Sequence, residues 1–222
     1  MTLQDKLDAF KANFETKVAP PAAVAIMHAA TAALIASGQA DRSLGAGAIA
    51  PAFALPDAAG TIVRSEELLA RGPLVITFYR GVWCPYCNID LAAIEAIADD
   101  IRAAGATLVA ISPQTAANSR KITDANRLSF PILTDLGSTI ADRFGLRFRL
   151  PDDLLALYAG FGADLKAINA EASGTLPMPA RFVIGQDGVI AYAEVSADYT
   201  RRPDPEALLP ALRRLSAARP AA

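Results

Sequence analysis

Near the start of the chain the apolar residues Leu3, Leu7, Phe10, Phe14 and Val18 recur at steps of four, three, four and four, the spacing of one face of a helix. Thr2, with Asp5 three residues on, supplies a capping signal for its first turn. Pro20-Pro21 breaks that pattern and suits the start of a second helix, which runs to about Ser37 and is ended by Gly38. Residues 1–44 therefore read as a helical hairpin. Its apolar stripe is expected to fold against the rest of the chain or against a second subunit.

From Gly45 the pattern changes to short apolar runs separated by turn residues. Leu74 to Tyr79 reads as a buried strand bracketed by Gly72-Pro73 and Gly81, and a helix is expected from there to about Ala104, closed by Gly105. Thr107 to Ser112 is a second buried strand, and strand, helix, strand makes a right-handed parallel crossover. Helices are predicted near 116–126, 138–144, 152–158 and 205–215, with a short strand at 130–133. Arg181-Phe182-Val183-Ile184 and Val189-Ile190-Ala191-Tyr192 flank Gln186-Asp187-Gly188, which signals a hairpin. Residues 145–174 carry the weakest pattern. The expected architecture is an α/β domain over 45–217, a central mixed sheet flanked by helices, preceded by the hairpin and followed by a flexible tail at 218–222.

Composition narrows the function. Of the 222 residues 53% are hydrophobic and 20% charged, with a net charge of −2, an ordinary globular balance. No basic run is interleaved with aromatics, so a nucleic-acid partner is not expected. The N-terminus lacks a basic region leading into an apolar stretch, and the apolar segment Ala22 to Ala36 is shorter than the roughly 20 residues a membrane span needs. It reads as a packing helix, and a cytoplasmic location is expected.

Chemistry is concentrated in Trp83-Cys84-Pro85-Tyr86-Cys87, which holds the only two cysteines. A C-x-x-C at a strand-to-helix junction reads as a dithiol/disulfide couple. With Cys84 at the N-cap and Pro85 in the first helical position, both sulfurs face unpaired backbone N–H groups and the positive end of the helix dipole. Such a place lowers a cysteine pKa from about 8.5 toward roughly 3.5–7.5. Zinc would need further Cys or His ligands, and only His28 is available. No metal or cofactor is expected.

With these residues in view, the chain resembles the peroxiredoxin-like branch of the thioredoxin fold, the alkyl hydroperoxide reductase and thiol-specific antioxidant group. The likeness spans about Gly45 to Leu215. It is carried by Ala50-Pro51-x-Phe53-x-Leu55-Pro56-Asp57, Phe78-Tyr79-Arg80-Gly81-x-Trp83-Cys84-Pro85-Tyr86-Cys87, Ala110-Ile111-Ser112-Pro113-Gln114, Pro179-x-x-Phe182-Val183-Ile184-x-x-Asp187-Gly188, and Asp198-Tyr199-Thr200-Arg201-Arg202. The family's active site is Pro-x-x-x-Thr/Ser-x-x-Cys. Here Cys87 stands at the peroxidatic position, Cys84 at the Thr/Ser position and Arg80 at the proline. The family's peroxide-polarising arginine is replaced by Pro179, which looks like the cis-proline of thioredoxins. Arg80 and Arg181 are the nearest cations that could stand in for that arginine. Trp83 and Tyr86 are expected to flank the sulfurs.

The resemblance implies a thiol peroxidase that reduces hydrogen peroxide or organic hydroperoxides, with Cys87 attacking, Cys84 resolving, and a thioredoxin-like or low-molecular-weight thiol recycling the disulfide. The alternative is a thioredoxin- or glutaredoxin-like thiol–disulfide oxidoreductase, in which Cys84 attacks and Cys87 resolves. Family members commonly associate, so a homodimer is also expected.

Overall fold

The computed structural model describes residues 1–217; the expected tail at 218–222 lies outside them. Helix α1 (Leu3–Asn13) opens on the Thr2/Asp5 capping box, and α2 (Pro21–Ala36) begins at its proline. Leu3 and Leu7 enter the core. Val18, expected on the same stripe, is 63% exposed, because the wider π-helical turn at Phe14–Val18 rotates it off that face.

Helix α2 departs from the packing helix that its composition suggested. Only Ala23 and Met27 are buried along it. The helical stretch Pro21–Arg42 has 22 residues, and an 18-residue window within it has a mean hydropathy of 1.5. The stretch is thus long and apolar enough, by length and composition, to cross a membrane, with 11% of that window buried.

A small ribbon of β1 (Ala54–Pro56) and β2 (Ile62–Arg64) leads through α3 (Ser65–Leu69) to the central strand β3 (Leu74–Phe78). The cysteine segment follows, then α4 (Pro85–Glu95), α5 (Ala98–Ala103) and β4 (Thr107–Ser112). After α6 (Ala116–Asn126) come β5 (Ile132–Thr134), α7 (Thr139–Arg143), β6 (Arg147–Arg149), α8 (Asp152–Gly160), α9 (Leu165–Asn169) and β7 (Thr175–Pro177). The hairpin β8 (Ala180–Ile184) and β9 (Ile190–Val195) precedes α10 (Leu209–Ala217). The single helix expected to reach Ala104 is two, because Ile97 leaves helical geometry at φ −112°, ψ 9°. The break keeps both Ile97 and Ile101 in the core.

The main sheet has the order β5-β4-β3-β8-β9. Strands β3, β4 and β5 are parallel, and β8 and β9 are antiparallel. This is the mixed, helix-flanked sheet of a thioredoxin-like fold. Every residue of β3 and β8 is buried, as central strands covered on both faces must be. The cysteine pair sits at the C-terminal end of β3, where a parallel crossover leaves backbone donors free. Residues 145–174, the segment of weakest pattern, supply β6, the helix expected from 152 (α8) and α9, and β6 pairs with β7 just beyond them.

Candidate active site

Local backbone geometry sets the first sulfur. Cys84 is the N-cap of α4 at φ −91°, ψ 107°, and Pro85 takes the first turn, where its missing N–H costs nothing. The loop before it turns at Gly81, whose φ is +148°. A Cβ there would lie 2.6 Å from the Trp83 indole nitrogen, so a side chain is excluded on both counts. The Val82 N–H donates to Gln114 Oε1 at 2.7 Å, and Gln114 Nε2 donates to the Tyr79 hydroxyl at 2.8 Å. Asn88 Nδ2 donates to the carbonyls of Val82 and Cys84, each at 2.9 Å. The loop is thus held from both sides.

Both cysteines are free and buried, yet their surroundings differ. Cys84 lines a cavity of about 220 Å³; Cys87 is not among its lining residues. The N-terminal helices contribute Phe10, Phe14 and Met27 to this cavity, and α8 with the turn after it contributes Tyr158 and Phe161. Trp83, Pro85, Tyr86 and Tyr199 complete the wall around Arg80. Phe10 meets Tyr86 edge-on at 5.1 Å, so α1 covers the sulfur.

Arg80 is 1% exposed. Its guanidinium lies over the rings of Tyr199, Trp83 and Tyr158 at 4.2, 4.7 and 5.5 Å, and Nη2 donates to the Tyr158 hydroxyl at 2.9 Å. Aromatic faces stabilise a desolvated cation. Among the described residues no carboxylate forms a salt bridge with it within 4.0 Å, and its Nε has no hydrogen-bond partner.

The two thiols are driven apart in acidity. Burial opposes the Cys84 thiolate, but it is outweighed by hydrogen bonding from Cys87 and by the charges of Arg80 and Arg202, which bring the pKa down to about 6. Cys87 is pushed well above the ordinary thiol value by burial, by its hydrogen bond to Cys84 and by the neighbouring Cys84 charge; Arg202 and Arg80 only partly counter this. One proton is therefore shared unequally, and the negative charge favours Cys84.

Arg181, the other candidate cation, is used up elsewhere. It pairs with Asp90, contacts Glu194 at 2.9 Å and donates to the Pro203 carbonyl at 2.9 Å. Arg202 Nε lies 3.4 Å from the second Asp90 oxygen. Arg181 does not line the Cys84 cavity. Pro179 lies between β7 and β8, and its peptide bond is trans, which corrects the cis-proline expectation.

Sequence reasoning passed over Tyr158 and Asp90 and treated Tyr199, Arg202 and Gln114 only as parts of motifs. Asp90 had a signal: it is a carboxylate three residues after Cys87 on the buried, otherwise apolar face of α4 with Leu91 and Ile94. Tyr158 had none, because it lies at the end of α8, 78 residues from the arginine it bonds.

Residues 46–193 match the AhpC/TSA family. The chain belongs to that family. A provisional peroxiredoxin of Mycobacterium tuberculosis, MT1643, is 32% identical over 95 residues, covering 43% of this chain and 62% of the relative. The thiol-disulfide oxidoreductase ResA of Halalkalibacterium halodurans is 31% identical over 118 residues, covering 52% of this chain and 65% of that protein. The chain thus spans somewhat under two thirds of each relative's length. The solved structure of peroxidoxin BcpB from Mycobacterium tuberculosis superposes with a TM-score of 0.61 at 24% identity, covering 80% of this chain and 99% of that one. This likeness is one of fold. The AhpC/TSA match ends before Asp198 to Arg202, so Tyr199 and Arg202 lie beyond it.

Proposed function

We propose that this protein is a thiol peroxidase in which Cys84 strikes first and Cys87 resolves, the reverse of the order that family position implies. The observation that carries the reading is that Cys84 both lines the cavity and sits beside the uncompensated guanidinium of Arg80, whereas Cys87 lies behind it. The Cys84 thiolate attacks the nearer oxygen of a hydroperoxide; the O–O bond breaks, and the leaving oxygen takes a proton and departs as water or alcohol. Arg80 is placed to donate to the oxygens as charge builds on the leaving group. The Cys87 thiol then attacks the Cys84 sulfenic acid, expelling water and forming the disulfide.

The cavity favours this reading over disulfide exchange. Cys84 is 1% exposed under aromatic cover, which admits a peroxide of a few atoms without rearrangement, whereas a folded disulfide substrate requires the cover to open first. Two reducing equivalents from a thioredoxin-like or low-molecular-weight thiol would restore the dithiol, and the cover must yield to admit a protein reductant. A cytoplasmic location fits that reductant supply.

Stopped-flow fluorescence tests the assignment, since Trp83 is the chain's single tryptophan and adjoins Cys84. Cys87→Ser should retain the fast first phase with peroxide and accumulate sulfenic acid, while Cys84→Ser should lose that phase. The opposite pattern would restore Cys87 as the attacking residue. A wild-type reaction no faster than that of free cysteine would remove the peroxidase reading.

A further inference from the structure

A second cavity, of about 460 Å³, lies against Arg80 and Tyr199, the two residues it shares with the Cys84 cavity. Its size falls within the range of sites for small organic ligands. Ala30, Ala33 and Leu34 of α2 face Leu150 and Leu154 across it, and Arg147 and Arg149 also line it. Three guanidiniums and no carboxylate are among its lining residues. Arg147 and Arg149 already meet Asp142 at 3.0 Å and Asp152 at 2.6 Å, outside the lining, in partly exposed pairs. Arg80 differs from both: it is buried, has no carboxylate partner and keeps an unbonded Nε.

Aromatic faces offset only part of the cost of burying a cation, so an anion that reaches Arg80 is stabilised there. In the reduced protein the Cys84 thiolate of the proposed mechanism supplies that negative charge. Once Cys84 enters a disulfide the thiolate is gone, and no group among the described residues replaces it.

We propose that the second cavity binds an amphipathic monocarboxylate, a small acyl or aryl acid, whose carboxylate reaches Arg80 and whose apolar body lies between α2 and the segment from Leu150 to Leu154. The acid and the Cys84 thiolate compete for one guanidinium, so the acid binds more tightly when Cys84 carries no charge. Linkage makes the effect reciprocal: bound acid stabilises the disulfide and weakens the thiolate. The competition rests on Cys84 being the ionised sulfur, as proposed above; the binding site does not.

Octanoate and 1-octanol serve as probes, titrated into the full-length protein and followed through Trp83, which Arg80 contacts at 4.7 Å. At pH 8 octanoate should bind the disulfide form and Cys84→Ser at least about fivefold more tightly than the reduced wild type, the lower end of ordinary coupling between sites. Octanol should bind more weakly and without regard to redox state. Ala30→Phe, a change at a half-buried position in the cavity wall, should abolish octanoate binding while leaving the circular dichroism spectrum unchanged. Equal binding of acid and alcohol, an unaffected Ala30→Phe, or no binding to any form would overturn the site. Peroxide consumption is measured on the same samples. A fast peroxidase with equal octanoate affinity in all redox forms would refute the competition alone, whereas a redox-dependent affinity without peroxidase activity would refute the proposed function alone.

Discussion

Two buried arginines a strand apart meet opposite fates. Arg181, in β8, is neutralised by Asp90 and Glu194 and donates to the Pro203 carbonyl. Arg80, just past β3, has aromatic rings, one tyrosine hydroxyl and no carboxylate. Both positions looked equally suited to replace a missing catalytic arginine. Partnering separates them: a guanidinium already neutralised by carboxylates can organise a core, while one left without a counter-ion acts on whatever negative charge comes near. Arg80 acts on Cys84.

The largest effect expected is on stability at the neutralised site. Arg181→Met takes from Asp90 and Glu194 the guanidinium they share, leaving Asp90 only the more distant Arg202, and should cost about 3–5 kcal/mol, the usual result of removing one partner of a buried pair. A thermal melt should show a fall in Tm of roughly 10 °C for a chain of this size, with the pH midpoint of the peroxide reaction unmoved. A shifted midpoint would erase the division between the two arginines.

Arg80→Met should do the reverse. It removes a cation without stranding a carboxylate, so the melt should change little, while the rate of the first phase should fall by about 10²-fold, as when one preorganised donor is deleted. Loss of stability with an unchanged rate would make Arg80 a packing residue.

The pH profile sharpens the same contrast. Thiolate is the reactive form, so the wild-type rate should climb as pH rises through about 6 and level off above it. In Arg80→Met the midpoint should move to higher pH, because a charge that favours the thiolate has gone. The smallest effect concerns the cover. Phe14→Ala opens the wall over Cys84, and should raise the rate of disulfide reduction by a thioredoxin more than that by dithiothreitol; equal changes would show that the turn after α1 does not gate the larger reductant.

Much of this was legible locally. The Thr2 cap, the proline start of α2 and the Cys84-Pro85 entry to α4 depend on neighbouring residues, and all three form as their spacing predicts. So do the strands at Leu74 and Thr107 and the turn at Asp187-Gly188. Within residues 145–174 the helix expected from 152 forms as α8, while β6 with three residues and α9 with five are too short for a period to register. Val18 was misplaced because a π-helical turn changes the period on which its prediction rested.

By itself the sequence determined a cysteine pair at the mouth of a strand-to-helix crossover, since an N-cap and a first-turn proline are set by adjacent residues. It did not determine which sulfur carries the charge. That depends on the hydrogen bond between the two cysteines and on Arg80 and Arg202, cations that the fold brings to a buried site from separate segments of the chain. Charge interactions there act through space and through the loss of water, and neither is written in the order of residues.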